Sequence, residues 1–345
     1  MPRTAGRRPR LADIAQRAGV SLATVDRVLN RRPGVRPLTA SRVLKVAAAL
    51  DCLPDPAILA AGLRPLRIAF VLPAGSNRYL HLLGRLVGAA RERAGRLALR
   101  PRLEPVAGFR PELLARHLRA VARDADAIAF MALEDPLVTE AVNDLAARGI
   151  PCVTLISDLP GSARAAYLGL DNRAAGRAAA WLIGRFLPPG PAEVAMIAGS
   201  LAYRAHQERA EAFPALFAEA FPAITVLPPR LGHDEAAENY RQARALLALH
   251  SKLGAIYNMG GGAEGIARAL REAGRERDVV LIAHGLTADT SALLEDGTAD
   301  AVITQNPHAT INDCLAVFDN LRAGRPALAG IEAPRTEIVL AETLP

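Results

Sequence analysis

From residue 67 onward the chain alternates short apolar runs with longer amphipathic stretches, and that alternation leaves few folds open. The runs fall at 68–72, 127–133, 152–156, 194–197, 255–257, 279–283 and 301–304. They have strand length, and helices separate them: residues 82–94, 111–122, 135–147, 174–186, 208–221, 235–249 and 263–273 set apolar side chains at helical spacing. Strands that read as unbroken apolar runs are buried on both faces, which requires parallel pairing with helices above and below the sheet. About 280 residues of this kind are too many for one simple layer and predict one large or two smaller α/β units.

The first 66 residues are of another kind. They hold 12 Lys and Arg against 4 acids, a charge of +8 in a chain whose formal charge is +7, so the remainder is close to neutral. A basic module on a neutral body is the electrostatic footprint of phosphate binding. Only Lys45 and Lys252 are lysines, so arginine is the default cation, and an arginine outside this segment is by itself a solvated surface residue. Within the basic segment, LADIAQRAGVSLATVDRVLN at 11–30 sets Leu11, Ile14, Ala15 and Ala18 on one helical face and Val25, Val28 and Leu29 on another. Gly19 between them permits the left-handed backbone of a tight turn, and Ser21 can cap the second helix. The pattern predicts a helix-turn-helix whose second helix exposes Leu22 and Ala23, with Thr24 and Arg27 further along, toward base edges in a major groove.

These motifs, followed by a third helix at roughly 40–50 capped by Thr39 and by a proline-containing hinge, resemble the lactose/galactose repressor family of bacterial transcription regulators. The resemblance extends over the whole chain. It implies an N-terminal three-helix head (1–50), a hinge (51–66) and an effector-binding and dimerisation domain (67–345). In the head it implies Ser21, Leu22, Ala23, Thr24, Arg27, Asn30 and Arg32 as DNA-contacting residues, and Val43, Val46, Ala47 and Leu50 as the inner face of the third helix. Three positions depart from the family pattern. Asp26 stands where serine is usual, and it can pair with a neighbouring arginine. Arg10 holds the first helix's cap position, and Ala61 stands where a leucine enters the minor groove, a role Leu59 or Leu63 could take after a small shift. Pro54, Pro56 and Gly62 make the hinge a poor helix by itself, one that would form on DNA.

The body resembles the type I periplasmic sugar-binding fold, in particular its ribose-binding branch. That implies two Rossmann-like doubly wound subdomains, 67–170 with 306–330 and 171–305 with 331–345, joined by crossings near Leu170, Gln305 and Gly330, with a ligand in the cleft between them. Ligands of such sheets sit beyond the carboxyl ends of the strands. The residues there are Asn77, Tyr79, Ser157, Asp158, His233, Asn258, His284 and, at a crossing, Gln305, while HQERAEAF resembles the binding-protein stretch whose arginine reaches the ligand and so adds Arg209; these amides, carboxylate, imidazoles and one aromatic ring suit a neutral sugar, cyclitol or sugar derivative. The ribose-binding relatives carry an aspartate-arginine pair where Ile156 and Ser157 stand, and an acid where Gly285 stands, so a plain ribose site is not expected.

Other chemistries find little in the sequence. GGGAEG at 260–265 has no Walker lysine and is not G-x-G-x-x-G, and no H-E-x-x-H or G-x-S-x-G occurs. Neither metal nor cofactor is expected. Asp171 and Asn172 read as a helix cap and hinge support. Cys52, Cys152 and Cys314 are widely spaced and read as reduced thiols. No run of 18 apolar residues and no secretory leader is present, which predicts a cytoplasmic protein without a membrane partner. The expected function is a ligand-responsive regulator, a repressor in the first instance, that binds a palindromic operator as a homodimer or a dimer of dimers. The rival is a DNA-binding head fused to a sugar-converting enzyme.

Overall fold

The computed structural model describes residues 11–29, 32, 34–49 and 64–344. Asn30, Leu59 and Leu63 of the expected DNA surface, with Leu50, Cys52, Ala61 and nearly all of the hinge, lie outside the described residues. Contacts divide the chain into two compact units, one holding the three N-terminal helices and residues 92–99, the other holding residues 66–91 and 100–344.

The N-terminal helices are α1 (Leu11–Ala18), α2 (Leu22–Leu29) and α3 (Pro37–Ala49). Gly19 adopts φ +62°, and the Val20 amide bonds the Ala15 carbonyl at 3.0 Å, so the chain reverses without the strain a side chain would meet there. Ser21 Oγ accepts the Thr24 amide at 3.1 Å and caps α2. The core consists of Ile14, Ala15, Ala18, Val25, Val28, Leu29, Val43 and Ala47. Leu11 is exposed and Val46 half-buried, so the buried faces of α1 and α3 are narrower than the sequence pattern suggests. The third helix also begins earlier. Pro37 opens it, the Thr39 and Ala40 amides bond the Arg36 carbonyl at 3.0 Å, and Thr39 therefore lies inside the helix instead of capping it. Proline's fixed φ and missing N–H suit a first helical turn, and that decided the start.

From Leu66 onward the chain runs β1 (Leu66–Ala74), α4 (Arg78–Ala89), α5 (Arg91–Arg96), β2 (Leu99–Ala107), α6 (Pro111–Val121), β3 (Ala127–Phe130), α7 (Pro136–Ala147), β4 (Cys152–Leu155), β5 (Ala166–Leu168), α8 (Asn172–Phe186), β6 (Ala192–Ala198), α9 (Arg204–Ala220), β7 (Ile224–Val226), β8 (Arg230–Leu231), α10 (Ala236–Leu249), β9 (Leu253–Asn258), α11 (Ala263–Glu272), β10 (Val280–His284), α12 (Ala288–Glu295), β11 (Ala301–Thr304), α13 (Pro307–Arg322) and β12 (Glu337–Val339). Two sheets result, ordered β2-β1-β3-β4-β5 and β12-β11-β10-β9-β6-β7, with β8 beside β6. The pairings β1/β3, β3/β4 and β4/β5 are parallel, as are β6/β9 and β9/β10, while β12 runs antiparallel to β11.

Each sheet has its first strand second from one edge, so each has one point where the strand order reverses, and both reversals open at the carboxyl ends of the strands. The chain enters the second sheet after β5 and returns as α13, which packs on α4 and β5, before β12 closes the second sheet. The inner strands β3 and β4 are buried along their whole length, as their continuous apolar runs require. Cys152 and Cys314 are buried and unbridged, and burial pushes the Cys152 thiol up to about 12.

Candidate functional site

On the N-terminal unit, α2 buries Val25, Val28 and Leu29 and leaves Leu22, Ala23 and Arg27 in solvent. Its start is fixed by the Ser21 cap, whose hydroxyl also shares a hydrogen bond with Thr24 Oγ1 at 2.9 Å. These two hydroxyls therefore serve the helix start. Asp26 forms an exposed ion pair with Arg32 at 3.2 Å, so the acid that breaks the family pattern is neutralised locally. An exposed pair of this kind is worth at most about 1 kcal/mol and yields readily to a phosphate.

On the second unit a cavity lies between the carboxyl ends of the two sheets. Of the nine residues expected to hold ligand, Asn77, Tyr79, Arg209, His284 and Gln305 line it. Arg209 is 6% exposed on α9, and among the described residues no carboxylate is hydrogen-bonded to it. Its Nε donates to Asn172 Oδ1 at 3.0 Å and its Nη1 to the Met259 carbonyl at 2.7 Å, while Asn172 is held by the Leu170 carbonyl and Tyr167 OH, each at 3.2 Å. The fork is thus fixed in place by neutral acceptors, with donors left over. Burial lowers the pKa of Arg209 against the opposing pull of Tyr257, Tyr167 and Asp234, and a hydroxyl-rich ligand can replace part of the lost water. His284 shares a 2.6 Å hydrogen bond with Tyr257 OH and is held well below the ordinary imidazole range by burial and by Arg209. Both features keep it neutral.

Asn77 is placed at the cavity, but its amide is already committed. Its Oδ1 accepts the Tyr79 and Leu80 amides at 3.0 and 3.2 Å, capping α4, and its Nδ2 donates to Asp234 Oδ2 at 3.0 Å. Tyr79 OH donates to the Gln305 carbonyl at 3.1 Å, and Gln305 Nε2 to Thr310 Oγ1 at 3.0 Å.

The other four expected residues stand outside this cavity. Ser157 is fully buried beneath the strand end, its Oγ 3.5 Å from the Ala205 amide. Asp158 turns back to Arg164 and Thr154, at 2.6 and 2.8 Å, and stabilises its own loop. Asn258 spends its Nδ2 on the Gly260 and Gly261 carbonyls, at 3.1 and 3.2 Å. His233 is exposed on a neighbouring wall.

Two ionisable cavity residues escaped the sequence reading. Asp234, 6% exposed, accepts the Gly261 amide at 2.7 Å besides Asn77. A Cβ at Gly260 would fall 2.3 Å from Asp234 Oδ1, one at Gly261 3.1 Å from Asn77 Nδ2, and Gly262 has φ +76°, so these three glycines serve close approach and a turn, which makes a phosphate loop unnecessary to explain them. His206 lies one turn before Arg209 on α9, and burial pushes it down to about 4 against the opposing pull of Asp234. Its three-residue spacing from Arg209 was the available signal. Asp234 had a weaker one, being next to His233, because two consecutive residues at φ +53° and +58° redirect the chain and reverse which side chain enters.

Among the described residues no group of three His, Cys, Asp or Glu side chains could hold a metal ion, and no helix is long and apolar enough to cross a membrane.

Comparison with known proteins agrees with this geometry. Residues 112–326 match the family described as periplasmic binding protein domain, and the chain belongs to it. Residues 10–55 match the bacterial regulatory proteins of the lacI family. Among curated relatives, the HTH-type transcriptional regulator MalR of Streptomyces coelicolor is 30% identical over 174 residues, 48% of this chain and 47% of the relative. The HTH-type transcriptional regulator reg1 of Streptomyces lividans is 32% identical over 171 residues, with the same two shares. The chain spans about half the length of the curated relatives it matches. Among solved structures, the glucose-galactose binding protein GanP of Geobacillus stearothermophilus superposes with a TM-score of 0.71 at 24% identity, over 81% of this chain and 99% of that one. A solute binding protein of Agrobacterium vitis bound with α-D-tagatopyranose gives 0.72 at 18% identity, over 80% and 95%. At these identities the likeness is one of fold.

Proposed function

We propose that this chain is a transcription regulator in which the three-helix head binds operator DNA and the cleft of the second unit takes a polyhydroxylated effector. The observation that carries the reading is the union in one chain of a lacI family head with exposed Leu22, Ala23 and Arg27 and a periplasmic-binding-protein body with a polar cavity at its strand ends. The names of the curated relatives support it. The protein acts in the cytoplasm as a homodimer on a palindromic site, because paired half-sites mirror a two-fold axis. Arg209, His284 and Gln305 hold the effector's hydroxyls, and Tyr79 supplies an apolar ring face. Residues 1–50 serve as the head, 51–66 as hinge and 67–345 as effector domain. Ser76 Oγ and Asn77 Nδ2, beyond β1, bond Asp234, beyond β8, at 2.8 and 3.0 Å. A ligand that rearranges these bonds between the two halves changes the relative weight of open and closed clefts, and DNA affinity follows by linkage.

The DNA half of the proposal is tested with a duplex selected from a random library by the full-length protein. Arg27→Ala should cost about 1–3 kcal/mol per half-site and relax preference at one base pair, whereas Arg32→Ala should weaken all duplexes alike. Fluorescence anisotropy on the selected duplex and on single-pair variants reads both effects. Unchanged base preference in Arg27→Ala would refute the docking of α2.

A further inference from the structure

Two cavities adjoin in the cleft, an inner one on the Arg209 side and an outer one on the Phe109 side. The inner cavity is the narrower, about 60 Å³, and it carries Arg209, His284 and Gln305 on its wall. A second cavity of about 460 Å³ adjoins it and shares Asn77, Leu80 and Asp234 with it, so the Asn77–Asp234 hydrogen bond is the partition between them. The outer cavity falls within the range of small-molecule pockets. Its wall is aromatic: Phe109 packs edge-on against Tyr203 at 5.5 Å and against His233 at 5.8 Å between ring centroids. Its backbone is unusual as well. Five non-glycine residues have left-handed φ among the described residues, and four of them line these two cavities: Ile156 the inner, Phe109 and His233 the outer, and Asp234 both. Bulky side chains adopt that conformation at a cost, and such strain collects where ligands are held.

We propose that the outer cavity is a second ring-binding subsite, so that the effector is a glycoside whose sugar ring engages Arg209 and whose second ring lies against Phe109, Tyr203 and His233. This rests on the effector reading of the cleft given above. The glycosidic link then passes the Asn77–Asp234 partition, and its oxygens exchange hydrogen bonds with that pair. A flat or apolar ring face suits Phe109 whether the second ring is another sugar or an aryl group.

Titration calorimetry on the full-length protein separates the possibilities. The probes are glucose and galactose, then maltose and lactose, then p-nitrophenyl α-glucoside and p-nitrophenyl β-galactoside. A two-ring probe should bind at least about tenfold tighter than its parent monosaccharide, and Phe109→Ala should cut that ratio about tenfold. His233→Ala, at an exposed position, should cut it about threefold, which keeps the test decisive if Phe109→Ala does not fold. A tighter maltose or lactose identifies the second ring as a sugar, and a tighter nitrophenyl glycoside as an aryl group. Equal affinities for one-ring and two-ring probes, or a ratio untouched in folded variants, would overturn the subsite and leave the effector reading standing. No binding of any probe would overturn the glycoside reading of the cleft and the subsite together.

Discussion

If the protein grips operator DNA as the proposed dimer, raising salt from about 50 to about 200 mM should lower its affinity by about three to five orders of magnitude. The cause is counterion release. Each phosphate neutralised by an arginine contributes about 0.9 to the slope of log affinity against log salt, and roughly 6–10 contacts per dimer give a slope of about −5 to −9. The charge to make them is concentrated where the reading needs it, since residues 1–66 carry +8 of a chain total of +7. The Asp26–Arg32 pair moderates the effect slightly, because an exposed pair exchanges one counter-charge for another when phosphate arrives. Anisotropy across a salt series measures the slope directly. A slope near zero would show that the head does not grip DNA through its backbone, whatever α2 resembles.

How much of the molecule was legible in its sequence depends on what each element had to satisfy. Strands buried on both faces announced themselves, as with Ala127–Phe130 and Cys152–Leu155. The strand Leu99–Ala107 did not, because Pro101, Pro105 and three charged residues break its apolar run. It is tolerated as an edge strand, whose outer N–H groups need no partner. The helix expected at 82–94 is instead two, parted at Ala90, and the helices Ala288–Glu295 and Pro307–Arg322 carried too little periodic contrast to be read.

The site divides the same way. The resemblance of HQERAEAF to a binding-protein stretch found Arg209, inside α9, and strand-end placement found His284 and Gln305. It overreached at Asp158, where a neighbouring arginine within the same loop captures the carboxylate at 2.6 Å. It missed Asp234, where left-handed backbone decides which of two adjacent side chains turns inward. The latter two are local geometric choices with no periodic signature. The ribose-binding relatives' acid is missing at Gly285, but the cavity holds another, Asp234, from the segment after β8.

Arg209→Ala should abolish the effector's influence on DNA while leaving DNA affinity in the absence of effector close to that of the unaltered protein. The guanidinium donates to Asn172 Oδ1 and to the Met259 carbonyl, and its Nη2 makes no hydrogen bond to another described residue. Removing it takes away the strongest donor available to ligand hydroxyls and leaves each unpaired group at a cost of about 1–3 kcal/mol, or about 5- to 150-fold in affinity. The same loss falls on the folded state, since two buried acceptors lose their partner, so the variant should also melt earlier than the parent. Gln305→Ala provides the contrast. Its side chain donates to Thr310 Oγ1 within its own segment, so its deletion should cost less stability and a smaller share of ligand affinity. DNA affinity is spared in both because the head packs its own core of Ile14, Val25 and Val43 in a separate compact unit. Calorimetry with the tightest glycoside, alongside anisotropy with and without it, reads both consequences on one preparation. Full ligand affinity in a folded Arg209→Ala protein would place the effector elsewhere, and the cavity between the two sheets would then be a feature of the fold alone.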